Sequence, residues 1–170
     1  PSQPYDAIFS FGAFEHFAQD GTTGPQRIAS YRRFFGTCYE WLSPGGRLGL
    51  ETIAHDDAPD TREALGRGPV GDFVLGLYPE SLCPHLSEVV LGLEPYFELE
   101  TLRSDADDFA RTFRAWSIRL RSQQEDADRL VGQETAARFR RYLAACELQF
   151  RTRSITNYRL VLRRRPELRH

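Results

Sequence analysis

Between Tyr5 and Ile53 the chain reads strand, acidic turn, helix, Pro-Gly-Gly turn, strand, and that order admits few folds. The run Asp6 to Phe11 (DAIFSF) is short and apolar, as expected of a parallel strand buried on both faces. Pro25 opens a segment to Leu42 in which Ile28, Tyr31, Phe34, Phe35, Cys38 and Leu42 recur at helical spacing. Ser43-Pro44-Gly45-Gly46 ends that helix, and Arg47 to Ile53 forms the next strand. Two parallel strands joined by a helix make a right-handed crossover. In open α/β sheets ligands bind at the carboxyl ends of the strands. Glu15 and His16 stand where the first of these strands ends, so this region reads as half of an active site.

The rest of the chain continues the α/β pattern. Ala54 to Gly71 is polar and rich in Asp, Pro and Gly, as a lid loop would be. Short helices are expected over 70–77 and 85–93, and an alternating strand over 96–103. Long amphipathic helices are expected over 106–122 and 125–150, then a last strand over 154–164 with a basic, solvated tail at Arg163-Arg164-Arg165. Residues 1–54 are thus assigned to an α/β core, 55–150 to a lid and helical region holding one further strand, and 151–170 to a final strand and tail. The 170 residues are 41% apolar and 27% charged with a net charge of −2, which argues against nucleic acid as a partner. All 22 basic residues are Arg, a codon-bias signature more than a chemical one. Three cysteines without CxxC spacing point to reduced thiols and a cytoplasmic setting. His55-Asp56-Asp57 has poor ligand spacing, so no metal is expected, and no apolar run reaches the ~20 residues that span a bilayer. The chain has no Met, and Tyr5 enters a strand after four residues, which suggests the C-terminal portion of a longer protein.

The order SFGAFEHF, YRRFFGTCYEWLSPGGRLGLETI, FELETLRSDADDFARTFRAW and RFRRYLAACELQFRTRSITNYRLVL resembles the C-terminal half of the cyclopropane-fatty-acid synthase family. A Tyr-Pro turn at Tyr78 replaces that family's Phe-Pro-Gly-Gly. The resemblance implies that the core is the Rossmann-like sheet of a class I methyltransferase, here strands four to seven, that the helical region is a substrate cap, and that S-adenosylmethionine (SAM) is the cofactor. The Gly-rich SAM loop has no counterpart in the sequence, so the N-terminal half of the same protein is the partner it calls for. In relatives the glutamate matching Glu15 helps hold a bicarbonate ion, and in alkaloid N-methyltransferases the matching Glu-His pair acts in catalysis. The residue matching Phe11 contacts SAM.

Two departures from the family bear on chemistry. Glu51 stands where cyclopropane-forming relatives have His, in LETI for LHTI, and Phe109 where they have Tyr, in FARTF for YAKTL. A second carboxylate and a lost hydroxyl disfavour a bound anion. Glu51 is therefore a candidate base of the protein's own.

Glu15, His16 and Glu51 are the expected catalytic residues: Glu15, partly desolvated between Phe14 and Phe17, is the expected base, alone or together with Glu51, and His16 orients or relays. Against this stands a plain capping role for Glu15 and His16, and a surface strand-end role for Glu51. Ser10, Phe11 and Gly12 are the expected cofactor floor. Tyr78, Phe109 and Trp116 are candidates for a substrate pocket, although Phe109, Phe113 and Trp116 also share the spacing of an ordinary helix core face. The function expected is SAM-dependent methylation of a carbon or nitrogen of a small metabolite. The alternatives are cyclopropane or methyl-branched synthesis on unsaturated acyl chains, and a non-catalytic binding or partner subunit. Self-association is left open.

Overall fold

The computed structural model describes residues 3–19, 21–55, 73, 76–77 and 81–166. The element order is β1 (Tyr5–Phe11), a 3-10 turn (Phe14–His16), α1 (Gly24–Trp41), β2 (Leu42–His55), α2 (Leu86–Leu93), β3 (Phe97–Ser104), α3 (Ala106–Ser122), α4 (Gln124–Val131), α5 (Gln133–Arg151) and β4 (Ile155–Arg164). One four-stranded sheet has the order β1-β2-β4-β3. β1 and β2 run parallel in register Ala7–Arg47 to Phe11–Glu51, as the strand-helix-strand pattern requires. β4 is antiparallel to both β2 and β3.

The helix α1 starts as its sequence dictates. Thr23 stands at its N-cap, where the Gln26 side chain accepts the Thr23 N–H at 2.8 Å, and Pro25 lies in the first turn. Tyr31, Phe35 and Cys38 from the expected stripe are buried against Phe14, Leu48, Leu50, Leu160 and Leu162. α2 packs on the same face, and an internal ion pair ties it to α1. The Arg27 Nε donates to both oxygens of Glu88 at 3.1 and 3.0 Å, with the two side chains 20% and 8% exposed. A second core lies between α3, α5 and the ends of β2 and β4, with Phe113, Leu143, Phe150 and Ile155 buried together.

Four expectations are corrected. β1 is not buried on both faces: Phe9 and Phe11 are 69% and 65% exposed. It is an edge strand of this sheet, and no described element covers the face that carries those rings. The expected 125–150 helix is two helices, because Gly132 adopts φ +82°, which ends α4 and starts α5. β2 is assigned from Leu42, five residues early, since Leu42 pairs with Tyr5 and the Ser43–Gly46 stretch bulges before regular pairing resumes. One arginine of the tail is not solvated, while Arg163 and Arg165 are exposed. Arg164 is 8% exposed, donates to the Tyr39 carbonyl at 2.9 Å and lies 4.2 Å over the Tyr39 ring. The Arg165 N–H reaches the Tyr96 carbonyl at 2.9 Å, and its guanidinium reaches that of Phe97 at 3.0 Å. The expected lid from residue 56 onward, nearly all of the 70–77 helix, and Tyr78 lie outside the described residues.

Removing one partner of the Arg27–Glu88 pair strands a charge in the interior. Glu88→Ala is expected to destabilise the full-length protein by about 3 kcal/mol, the low end for buried pairs because Arg27 keeps some exposure. Arg27→Leu/Glu88→Leu is expected to recover most of that loss. Urea unfolding monitored by circular dichroism checks both.

Candidate active site

Phe14 sets the position of everything around it. Its ring is fully buried, stacks on Tyr31 at 4.6 Å and meets Phe34 and Phe35 edge-on or tilted at 5.5 Å. Burying one such ring contributes about 1.5–3 kcal/mol. It pins the 3-10 turn beneath the carboxyl ends of β1 and β2, and the next residue, Glu15, is carried against β2. Its carbonyl also accepts the Leu82 N–H at 2.8 Å.

Glu15 does not cap its own turn. Its Oε1 accepts from Thr52 Oγ1 at 2.7 Å and from the Ile53 N–H at 2.6 Å. The side chain is buried, and its second oxygen, Oε2, lies in the interior without a hydrogen-bond partner. One oxygen is thus fixed to the scaffold and the other is available. His16 is on the exposed side of the same turn, with Nδ1 3.1 Å from Ser81 Oγ.

Glu51 pairs with Phe11 across β1 and with Arg159 across β4. It is half-buried, and its Oε2 accepts the Gly12 N–H at 3.1 Å. Gly12 makes this possible by turning to φ +59°, where a side chain would be strained, and open space lies where a Cβ would stand. Desolvation, and then the neighbouring Glu15, push the Glu51 carboxyl above its ordinary value of 4.5; the Gly12 N–H, Arg159 and Asn157 oppose that rise. The Arg159 guanidinium is itself drawn to Asp105, 3.1 Å from Nε. Glu15 and Glu51 are thus neighbouring carboxyl groups at the ends of β1 and β2, with no ion pair to either among the described residues.

Ser10, Phe11 and Gly12 line the β1 end of this site as the sequence suggests. The Phe11 ring is exposed and stacks in parallel with Phe9 at 6.0 Å, a flat apolar surface beside an open stretch of backbone. Phe109 packs on Phe150 at 5.2 Å in the cap core. Trp116, 48% exposed, leans on Phe113, and no described contact brings it to the carboxylates. Two participants were missed in the sequence. Thr52 is fully enclosed and holds Glu15. Asn157 is 0% exposed and sits opposite Ile53. A lone amide inside the apolar run SITNYRLVL was the available signal. His55 ends β2 rather than lying in a solvated loop. Burial, then the nearby His85, lower its pKa. Among the described residues no group of three or more His, Cys, Asp or Glu could hold a metal ion, and no helix is long and apolar enough to cross a membrane.

A family model described as mycolic acid cyclopropane synthetase matches residues 2–160. Cyclopropane mycolic acid synthase 2 of Mycobacterium leprae is 32% identical over 158 residues, covering 89% of this chain and 51% of that protein. The cyclopropane synthase MmaA2 from Mycobacterium tuberculosis superposes with a TM-score of 0.81 at 25% identity, covering 95% of this chain and 56% of that one. The mycolic acid cyclopropane synthase CmaA1, complexed with SAH and CTAB, gives 0.77 at 25% identity, again over 95% and 56%. The chain spans about half the length of the curated relatives it matches.

A carboxyl group whose pKa is raised by folding binds its proton more tightly in the native state than in the unfolded one. Stability then falls as pH rises through the carboxylate range and stays lowered above it. Glu51→Gln removes that cost. Its thermal midpoint is expected to exceed that of the unaltered protein near neutral pH, and the gap is expected to close as pH drops below about 4.5. A calorimetric pH series checks the sign.

Proposed function

The chain belongs to the mycolic acid cyclopropane synthetase family, and from that premise we propose that it forms the acceptor side of a SAM-dependent methyltransferase acting on a small metabolite. The observation that carries the reading is the pair of neighbouring carboxylates at the carboxyl ends of two parallel strands, one of them scaffold-bound through a single oxygen. The exposed Phe11 ring and the open backbone at Gly12 fit one wall of the cofactor's site, with Ser10 beside them. The other walls would come from the part of the relatives' length that this chain does not span. When bound, SAM supplies an electrophilic methyl group on a sulfonium.

The chain's own residues position the acceptor and take up its proton. Glu15, clamped by Thr52 and Ile53, is the fixed point. Glu51, desolvated and half-buried, is the base, since a raised pKa brings a carboxylate nearer to the pH at which it must accept a proton. His16 with Ser81 stands at the exposed rim, placed to orient the acceptor or relay that proton to solvent. Phe11 and the cap helices α3 and α5 exclude water.

A second reading, an unsaturated acyl chain as acceptor, is favoured by the family itself and by the relative solved with CTAB. Glu51 argues against it. An imidazole can donate to a bound bicarbonate, whereas a carboxylate adds a second negative charge beside Glu15.

Glu51→Gln and Glu15→Gln are each expected to lower methyl transfer by the full-length protein about a hundredfold, with SAM affinity nearly unchanged. Transfer of labelled methyl from SAM, with equilibrium dialysis for affinity, checks this. Turnover is also expected to be the same in carbonate-depleted buffer and after bicarbonate is added back. A several-fold rise on addition would move acyl chains to the head of the acceptor list.

A further inference from the structure

Asn157 is a buried amide inside an apolar strand. It is 0% exposed; its amide lies within reach of the Glu51 carboxylate, and its Oδ1 has no partner among the described residues. An unsatisfied buried amide costs about 1–3 kcal/mol, so such a group is retained where something uses it. It sits on β4 opposite Ile53, beside the Arg159 position that pairs with Glu51. Its side chain lies close enough to Glu51 to favour ionisation there. Its backbone is fixed, because its carbonyl accepts the Asp105 N–H at 2.9 Å at the start of α3.

Three oxygens with spare accepting capacity belong to neighbouring positions of the sheet, where Ile53 bonds Glu15 on one side and pairs with Asn157 on the other. Glu15 Oε2 is buried and unpartnered, Glu51 is ionisable with one oxygen on Gly12, and Asn157 Oδ1 is unpartnered. The one cation facing Glu51, Arg159, is shared with Asp105, which also holds Arg103. A trapped water could satisfy the amide and one carboxylate oxygen, but it could not neutralise two neighbouring carboxylates. A metal ion is not the fit among the described residues either. What matches two carboxylates and an amide oxygen is a compact cation rich in N–H donors.

We propose that Glu51, Glu15 Oε2 and Asn157 Oδ1 form a receptor for a protonated amine, and that the methyl acceptor is therefore an alkylamine nitrogen. This rests on the methyltransferase reading and narrows it to one acceptor class. The ammonium enters from the half-buried side of Glu51 and donates its N–H groups to the three oxygens. One N–H bond then breaks, and its proton bonds to a Glu51 oxygen. The nitrogen keeps the electron pair and becomes a neutral nucleophile, while Glu51 becomes a neutral acid. Glu15, held by Thr52 and Ile53, keeps the amine in place.

The test compares N-methylbenzylamine with its neutral isostere benzyl methyl ether on the full-length protein, by saturation-transfer NMR titration with S-adenosylhomocysteine present. The amine is expected to bind at least about tenfold more tightly, as charge-assisted hydrogen bonds would give. Glu51→Gln is expected to abolish that advantage and Asn157→Leu to reduce it several-fold, with circular dichroism confirming that both variants fold. Equal binding of amine and ether would overturn the proposal. So would an amine advantage unchanged in both variants, since the charge would then be recognised elsewhere. Methyl transfer to an acyl chain without amine preference would overturn it while leaving the transferase reading intact. Amine binding that needs Glu51, in a protein that binds no SAM, would uphold the receptor and sink the transferase reading.

Discussion

A carboxylate anchored on a strand other than its own organises the functional end of this molecule. Glu15 follows β1, but its Oε1 is held by the side chain of Thr52 and the backbone of Ile53, both on β2. The strands are already parallel partners. The clamp adds a link at the point where their backbones leave the sheet. Its geometry depends on Phe14, whose fully buried ring leaves the turn little freedom to move. Packing energy in the core is thereby converted into the position of one oxygen atom.

The same clamp divides the labour between the two acids. Glu15 has one oxygen committed, so it is oriented and of low mobility. Glu51 leans on a single backbone N–H at Gly12 and keeps a half-open flank. A fixed charge beside an adjustable one is an arrangement suited to holding a group and then exchanging a proton with it. It also accounts for Gly12: at φ +59° a side chain would be strained where the N–H turns toward Glu51.

Much of the core was legible because local signals agreed with it. Pro25, the Tyr31–Phe35–Cys38 stripe and the apolar runs on either side gave the crossover unit, and strand ends in such units point to the site. Glu15 was found that way and Glu51 through its departure from the family's His, and the structure joins Glu51 to Gly12. What failed was non-local. β1 reads as a doubly buried strand, yet exposure depends on which elements lie over it. A glycine inside an amphipathic stretch costs too little to announce a break, and Gly132 made one. Three consecutive arginines look like a solvated tail, and only the tertiary structure shows Arg164 lying over Tyr39. Thr52 and Asn157 were missed because their value lies in partners distant in sequence.

The strand order has a consequence for how the chain is made. β3 is bonded in the sheet only to β4, and β4 is the last element. Between them in the sequence lie α3, α4 and α5. At about 5–20 residues per second, a ribosome leaves β3 without its partner for several seconds. During that interval Leu99 and Leu102 are presented on an unpaired strand, and neither becomes well covered even when the sheet is complete. Arg164 and Arg165, which fasten β4 to the Tyr39 and Tyr96–Phe97 backbone, close that window, so the security of β3 is decided by residues made three helices later.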